Sequence, residues 1–484
     1  MKLILPFLLL VSSTLLAQTP PGLSLIRETD IKKDVYDISA PFFKGRGGGT
    51  IDELNASVWL AEKFRTLGIK PAGDHATYFQ YFNLWRNEIS ERSTISINGN
   101  SLQMWKDVAV SQMANTTLDG SIVYLGDALT VDTTADMKGK IVAIVANAKG
   151  INLDVSLPTW RYNRYIFAKY GAPLIRHGAS AVIFIADDVQ ENAWADAAEN
   201  FKRGTYDIEG GPAITVTATV PVIWVRKSMG PSLQNNATIK AYIIVSKYQY
   251  PSVNVVGVIN GSDPKLKSEY LLLSSHIDAH GIRNPVNGDS IYYGADDNAS
   301  VTAAILASAR AFIKYPPKRS VLIVIHGAEE RGLLGSRYYS SHSTVPIGNI
   351  VAVLNGDMIG RNHPDSATIL GVVKPHRNST VLVNMALTAN VEGPKFFIDS
   401  SWDAATHIEG WYFRSDHLPY ARLGIPALMY TTLLHPDYHT PLDNPQNINY
   451  KKLTKMADWI YRTGWKVANA PVRPAVDEGF KLER

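Results

Sequence analysis

Between residues 276 and 439 the chain carries His276-Ile277-Asp278, Gly294-Ala295-Asp296-Asp297-Asn298, Glu329-Glu330, Asp357 and His439, and ten of its twelve histidines fall in that stretch. Imidazoles and carboxylates without any cysteine suit a zinc ion in a catalytic setting better than a structural one. A carboxylate shared by two ions permits a metal pair about 3.5–4 Å apart, which acidifies a water and polarises a carbonyl together. His276 and Asp278 point to the same side of an extended strand end. His276 therefore suits ligation, and Asp278 suits holding the other ring nitrogen. Asp296, Asp297 and Asn298 open a helix, where Asn298 and Ser300 are capping types and Asp296 is a cap or a support. Adjacent carboxylates on irregular backbone, as at Glu329-Glu330, can diverge, so that one binds metal while the other stays free as a general base. Asp357 sits inside a nearly apolar run, which is costly for an acid unless it is paired or metal-bound. His439 lies in a polar turn beside Tyr438, whose hydroxyl can donate to a developing oxyanion. His435, Asp437 and Asp443 in the same turn are read as supporting or structural.

Each of these groups follows a short apolar run: 270–275, 321–325, 350–354 and 427–432. Such runs, alternating with helical patterns, read as buried parallel strands. In open α/β sheets, ligands collect beyond the carboxyl ends of those strands. Helical stretches are expected at 29–38, 51–67, 298–312, 336–341, 379–390 and 450–465. In 51–67, Leu54, Val58, Leu60, Ala61 and Phe64 form one side and Gly68 ends the helix. The cluster Gly45-Arg46-Gly47-Gly48-Gly49 lacks the Gly-Lys-Ser/Thr ending of a phosphate loop and reads as a flexible turn. From about 108 to 244 the pattern changes to short β-rich runs at 122–125, 141–145, 181–185 and 220–225, with one helix at 165–177. That stretch reads as an inserted domain, and the 471–484 tail as surface-laid or disordered.

The 484 residues carry a formal charge of +4, too small and dispersed for a nucleic-acid partner. Lys2, an apolar stretch at 3–10 and Leu15-Leu16-Ala17-Gln18 read as a cleavable secretory signal over 1–17. No later stretch approaches a spanning length, so no stable membrane insertion is expected. Export without cysteine leaves no disulfide framework. A serine hydrolase is the rival chemistry, but no Gly-x-Ser-x-Gly elbow is present, and Ser415-Asp416-His417 is a set of sequence neighbours.

Taken together, the motifs resemble the two-zinc exopeptidases that include bacterial leucyl aminopeptidases and the glutamate carboxypeptidase II group. The matching segments are His-Ile-Asp at 276–278, Gly-Ala-Asp-Asp-Asn-Ala-Ser at 294–300, Glu-Glu-Arg-Gly-Leu-Leu-Gly-Ser at 329–336, Asn-Gly-Asp-Met-Ile-Gly at 355–360, Arg-Ser-Asp-His at 414–417 and Tyr-His-Thr at 438–440. Segments at 138–142, 178–182 and 220–223 resemble a protease-associated domain. The resemblance implies an α/β fold with a mixed, largely parallel central sheet, helices on both faces, and an inserted β-rich protease-associated domain. It implies a signal at 1–17, a peptidase domain over 18–107 and 245–470, the insertion at 108–244 and a tail at 471–484. It also implies two Zn2+ per chain: Asp297 bridges, His276 and Asp357 complete one site, and Glu330 and His439 the other. Glu329 becomes the general base, Tyr438 the oxyanion donor and Asp278 a support for His276. The bond after the bridging aspartate is cis in the family. Val301 stands where the family often has glycine. The expected activity is that of a secreted or periplasmic metalloexopeptidase on peptide substrates, an aminopeptidase before a carboxypeptidase, for which Arg331, Arg361 and Arg414 could supply a basic pocket for the substrate carboxylate. A one-zinc glutaminyl cyclase and a non-catalytic binding protein on the same fold are the further alternatives; the oligomeric state is left open.

Overall fold

The computed structural model describes residues 19–234 and 236–482; the expected signal at 1–17 lies outside them. The central sheet is built on β1 (Phe79–Ile89), β2 (Thr205–Ile208), β3 (Val245–Ile259), β4 (Tyr270–His276), β5 (Ser320–His326), β6 (Ile350–Gly356), β7 (Ser366–Leu370) and β8 (Ala427–Thr431). Across the sheet the order is Phe397–Ile398, β7, β8, β6, β4, β5, β3, β1, β2. The pairs β4–β5, β4–β6 and β6–β8 are parallel. Around that centre, β3–β5, β1–β3, β1–β2 and β7–β8 are antiparallel. The fold is thus a mixed α/β sheet, parallel where the acidic and histidine residues emerge.

The apolar runs form strands because both of their faces are covered. Leu271 and Leu273 of β4 and Val321, Ile323 and Ile325 of β5 join one core with α1 (Glu28–Ile38), α2 (Ile51–Leu67), α3 (Val301–Lys314) and α7 (Tyr450–Asn469). Leu272, Leu322 and Val324 point the other way. They pack with Tyr339 of α4 (Leu334–Ser341) and Tyr420 of α6 (His417–Arg422). The remaining long helix, α5 (Thr380–Glu392), lies on the first face against α7. Burying such a side chain stabilises by roughly 1.5–3 kcal/mol each. The centre of the sheet is therefore a stiff frame for whatever hangs from its strand ends.

Local details correct the sequence reading in several places. Helix α2 is capped by the Thr50 hydroxyl and ended by Gly68 at φ 86°, but its inner face differs. Val58 is 56% exposed, whereas Glu53, Ser57, Leu60 and Phe64 are buried. Glu53 is drawn inward because its carboxylate accepts from the backbone N–H groups of Gly49 and Ala328 and from the Ser252 hydroxyl. The glycine cluster is no flexible turn. Arg46 within it is 1% exposed and donates to the carbonyls of Ile38, Ile277, Tyr293 and Gly294 at 2.6–2.9 Å. The expected helix at 165–177 begins earlier, at Pro158, and passes through a π-helical turn at Phe167–Gly171.

A second sheet of eight strands has its own core. It starts before residue 108, since Thr94–Ile97 and Asn100–Ser101 belong to it. Conversely, β2 lies within 108–244 in sequence yet extends the central sheet by pairing with β1. The chain thus crosses between the two sheets more than once, and the two-boundary division read from composition does not follow the strand pairing. The connection Val155–Pro158 and the helix Trp194–Lys202 reach over the strand ends of the central sheet and line the cleft there.

A candidate two-metal centre

Each of the central parallel strands delivers one part of the cluster from its carboxyl end. His276 is the last residue of β4. Glu329 and Glu330 follow β5, Asp357 follows β6, and the loop after β8 leads to His439. Asp297 comes from the irregular segment Ala295–Ser300 that opens α3, and its peptide bond to Asn298 is cis. Gly294 adopts φ 58° there, and a Cβ on it would meet the Asp297 carbonyl oxygen at 2.4 Å, so only glycine lets the segment turn so tightly. Ala328, Met358 and His439 also lie in the left-handed region, a backbone strain that concentrates at such sites.

The side chains converge. Asp297 stands between the two imidazoles, with Oδ1 3.2 Å from His276 Nε2 and Oδ2 3.2 Å from His439 Nε2. Glu330 Oε1 lies 3.4 Å from His439 Nε2, and Asp357 Oδ2 lies 3.9 Å from His276 Nε2. Glu329 Oε2 is also 3.9 Å from His276 Nε2. His276 Nε2, His439 Nε2 and Glu330 Oε1 are buried with no hydrogen-bond partner. His276, Glu329 and Asp357 form one group whose donor atoms fit a common ion; His280, Glu330 and His439 form a second.

The electrostatics also ask for cations. Burial pushes the Glu329 carboxyl well above its usual range; His276 opposes, and the charges of Glu330, Asp416 and Asp357 add to the rise. Burial and the Asp297 charge do the same to Asp357. Burial disfavours a charged His276, yet Glu329, Asp278, Asp297 and Asp357 outweigh it and hold that imidazole well above its ordinary value. Carboxylates crowded this closely with so few cationic partners, together with orphaned imidazole nitrogens, fit a divalent metal pair.

Supporting residues fix the ligands. The ring Nδ1 of His276 faces the Asp278 carbonyl oxygen at 3.1 Å, with the Asp278 carboxylate at 3.6 Å. That carboxylate accepts from the backbone N–H groups of Glu329 at 2.9 Å and Glu330 at 3.1 Å, so Asp278 aims the glutamate pair as well. Asp443 accepts from the N–H groups of Asp296 and Asp297 at 2.9 and 3.1 Å. Asp296 turns away, accepting from Gly360 N–H at 2.6 Å and facing His435 at 3.4 Å. Asp437 pairs with Arg361. Val301 packs its methyls where a side chain at position 356 would stand, 2.6 Å from a Cβ there.

Tyr438 stacks on His439 with ring centroids 3.6 Å apart. Its hydroxyl accepts from Arg414 Nη2 at 3.0 Å, which leaves its own proton free to be donated. Burial keeps that phenol protonated, with Arg414 opposing. Arg414 is held by Glu409 at 3.0 Å and Ser156 at 2.9 Å, and Arg161 pairs with the same Glu409 at 2.8 Å. Sequence reasoning passed over Glu409 and His280 as site residues, and gave Arg414 the role of a basic pocket wall rather than a partner of Tyr438. The second histidine of His-x-Asp-x-His was the signal for His280. The Ser415-Asp416-His417 neighbours build no triad: Ser415 accepts from Asn355 at 2.8 Å, while the His417 ring packs on Tyr412.

A model of the peptidase family M28 matches residues 254–463. Aminopeptidase YwaD of Bacillus subtilis (strain 168) is 24% identical over 264 residues, which is 53% of this chain and 53% of that protein. The chain spans about half the length of the curated relatives it matches. Among solved structures, an aminopeptidase from Aneurinibacillus sp. strain AM-1 has a TM-score of 0.59 at 19% identity, covering 94% of this chain and 97% of that one. BSAP, a zinc aminopeptidase from Bacillus subtilis, has a TM-score of 0.60 at 18% identity over 96% of this chain and 100% of its own. These two likenesses show a shared fold. The family match takes in all of His276 to His439, so the likeness to peptidase family M28 lies in the segment that holds the two-imidazole cluster.

Proposed function

We propose that the chain is an exported zinc metalloexopeptidase, an aminopeptidase acting on peptides, with two Zn2+ per chain. The observation that carries the reading is the Asp297 carboxylate, set between His276 and His439 with one oxygen toward each; with Asp297 shared by both ions, the buried Glu329, although within reach of the His276 side, is the carboxylate left to act as base. His276, Asp297 and Asp357 would hold one ion, and Asp297, Glu330 and His439 the other. When bound, the pair supplies Lewis acidity, polarising the scissile carbonyl and acidifying water.

This chain's own residues then do the following. Glu329 withdraws a proton from water as it adds to the scissile carbonyl, and returns that proton to the departing amine. Burial disfavours its charge, and a bound cation pair would oppose that rise, which leaves a carboxylate able to take up a proton and give it back. Tyr438 donates its O–H to the developing oxyanion, while Arg414 fixes the phenol oxygen in place. Asp278 and Asp443 hold the backbone of the glutamate pair and of Asp297. The similarity to aminopeptidases supports the choice of an aminopeptidase, and the leader-like 1–17 segment supports export. We read the second sheet as a protease-associated domain capping the cleft, supported by Ser156 reaching Glu409.

The test uses zinc-loaded protein with aminoacyl-p-nitroanilides and, separately, N-blocked peptides ending in glutamate. Hydrolysis of the first set alone is expected. Activity confined to the blocked set would reverse the choice of substrate end, and turnover by Glu329→Gln equal to the parent would remove the assigned base.

A further inference from the structure

A cleft of about 720 Å³ opens onto Glu329, Glu330, Tyr438 and His439. Three guanidinium groups from different parts of the chain gather on its Glu330 side. Arg203 follows the helix Trp194–Lys202, Arg283 lies in the strand Gly281–Val286, and Arg331 follows the glutamate pair. Arg203 and Arg283 line the cleft. Arg331 lies 5.1 Å over the Tyr206 ring, with its Nη1 buried and unbonded.

These charges are poorly compensated. Arg283 donates to Asn200 Oδ1 at 2.8 Å and meets a carboxylate, Asp196, at 3.8 Å. Among the described residues, no carboxylate comes within ion-pair distance of Arg203 or Arg331. Burial and the like charges of Arg331 and Arg283 push the Arg203 guanidinium down to about 10. Glu330 is the carboxylate that opposes this, and it is already assigned to a metal ion. Partly buried cations with few carboxylate partners are costly, and a planar fork of N–H donors matches a carboxylate in two-point geometry.

We propose that Arg203, Arg283 and Arg331 form a subsite for a carboxylate of the substrate, so that the enzyme prefers peptides bearing a negative charge close to the scissile bond. The inference rests on the peptidase reading. The carboxylate comes either from an aspartate or glutamate side chain or from the free C-terminus of a short peptide. Both sources present the same chemistry to the three arginines.

Matched substrates that differ only in charge separate these sources. On zinc-loaded protein, glutamyl- and glutaminyl-p-nitroanilide report on a side-chain carboxylate. Ala-Ala and Ala-Ala-amide report on a terminal one. The subsite predicts kcat/KM about tenfold or more higher for the acid in at least one pair, carried mainly by KM. That acid-to-amide ratio collapses toward one in Arg203→Gln. Arg283→Gln is the second variant, should Arg203→Gln fail to fold by thermal melting. Ratios near one for both pairs in the parent protein, or ratios unchanged in a folded variant, overturn the subsite while leaving peptide hydrolysis intact. If no peptide is cleaved at all, the peptidase reading fails by itself. Calorimetric titration with glutarate and with glutaramide then decides the subsite. Tighter binding of the dianion, lost in Arg203→Gln or Arg283→Gln, supports it, and equal binding of the two compounds refutes it.

Discussion

Replacing Arg46 by methionine should unsettle the molecule far more than a glycine-rich loop would suggest. The side chain is buried and donates four hydrogen bonds to backbone carbonyls of Ile38, Ile277, Tyr293 and Gly294. A buried carbonyl left without its donor costs roughly 1–3 kcal/mol, so four of them set an upper range of about 4–12 kcal/mol. Part is recovered, because burial already pushes this guanidinium down to about 10 and methionine removes the charge. Asp278, Asp443 and Asp297 favour the charge, however, and would lose a cation. A net loss of about 3–5 kcal/mol follows, comparable to breaking a buried charged network. For a chain of this length that corresponds to a melting point lower by about 3–5 °C. Two of the four carbonyls belong to Ile277, next to His276, and Gly294, three residues before Asp297. Zinc should therefore be held less tightly as well. Urea unfolding of zinc-loaded parent and variant, with zinc retention against a chelator, measures both effects. A variant within about 1 kcal/mol of the parent, with equal zinc retention, would refute the clamp.

Other consequences can be checked by simpler means. Asp443→Asn keeps the size of the side chain but cannot accept equally from both the Asp296 and Asp297 N–H groups, so zinc affinity should fall about 10–100-fold in chelator competition. Tyr438→Phe removes one donor to the oxyanion and should lower kcat about 10²-fold with little change in KM, measured on an aminoacyl-p-nitroanilide. Gly356→Ala would place its Cβ 2.6 Å from Val301 Cγ1; it should destabilise by about 1–3 kcal/mol, and Val301→Ala added to it should restore part of that loss in a double-mutant cycle. Chelation should lower the melting point, and added zinc should raise it in proportion to the logarithm of free metal, because the crowded carboxylates at Asp297, Glu330 and Asp357 repel one another without it.

The parallel strands were legible because both their faces are covered, which leaves unbroken apolar runs that end abruptly at His276, Glu329, Asp357 and the approach to His439. Strand ends in such a sheet face one crevice, and the residues that emerge there meet across it. What sequence patterning does not carry is where a polar side chain finds distant backbone. Arg46 bonds to carbonyls up to 248 residues away, and nothing beside it in sequence marks that. Glu53 turns the inner face of α2 away from Val58 for the same reason, since its partners lie at Gly49, Ser252 and Ala328. Strand β2 was hidden because Thr205–Ile208 is short, and its pairing with β1 is set by tertiary placement rather than by its own periodicity. His280, held between Glu330 and His439, falls four residues after His276 on irregular backbone, where no periodicity predicts direction.

Metal analysis of the purified protein paired with its Glu329→Gln variant tests the central claim most directly. Two zinc ions per chain are expected in both proteins by mass spectrometry under native conditions, with aminoacyl-p-nitroanilide hydrolysis reduced about 10²–10⁴-fold in the variant. A single zinc in the parent, or a variant that cleaves as fast as the parent while holding two, would contradict the account.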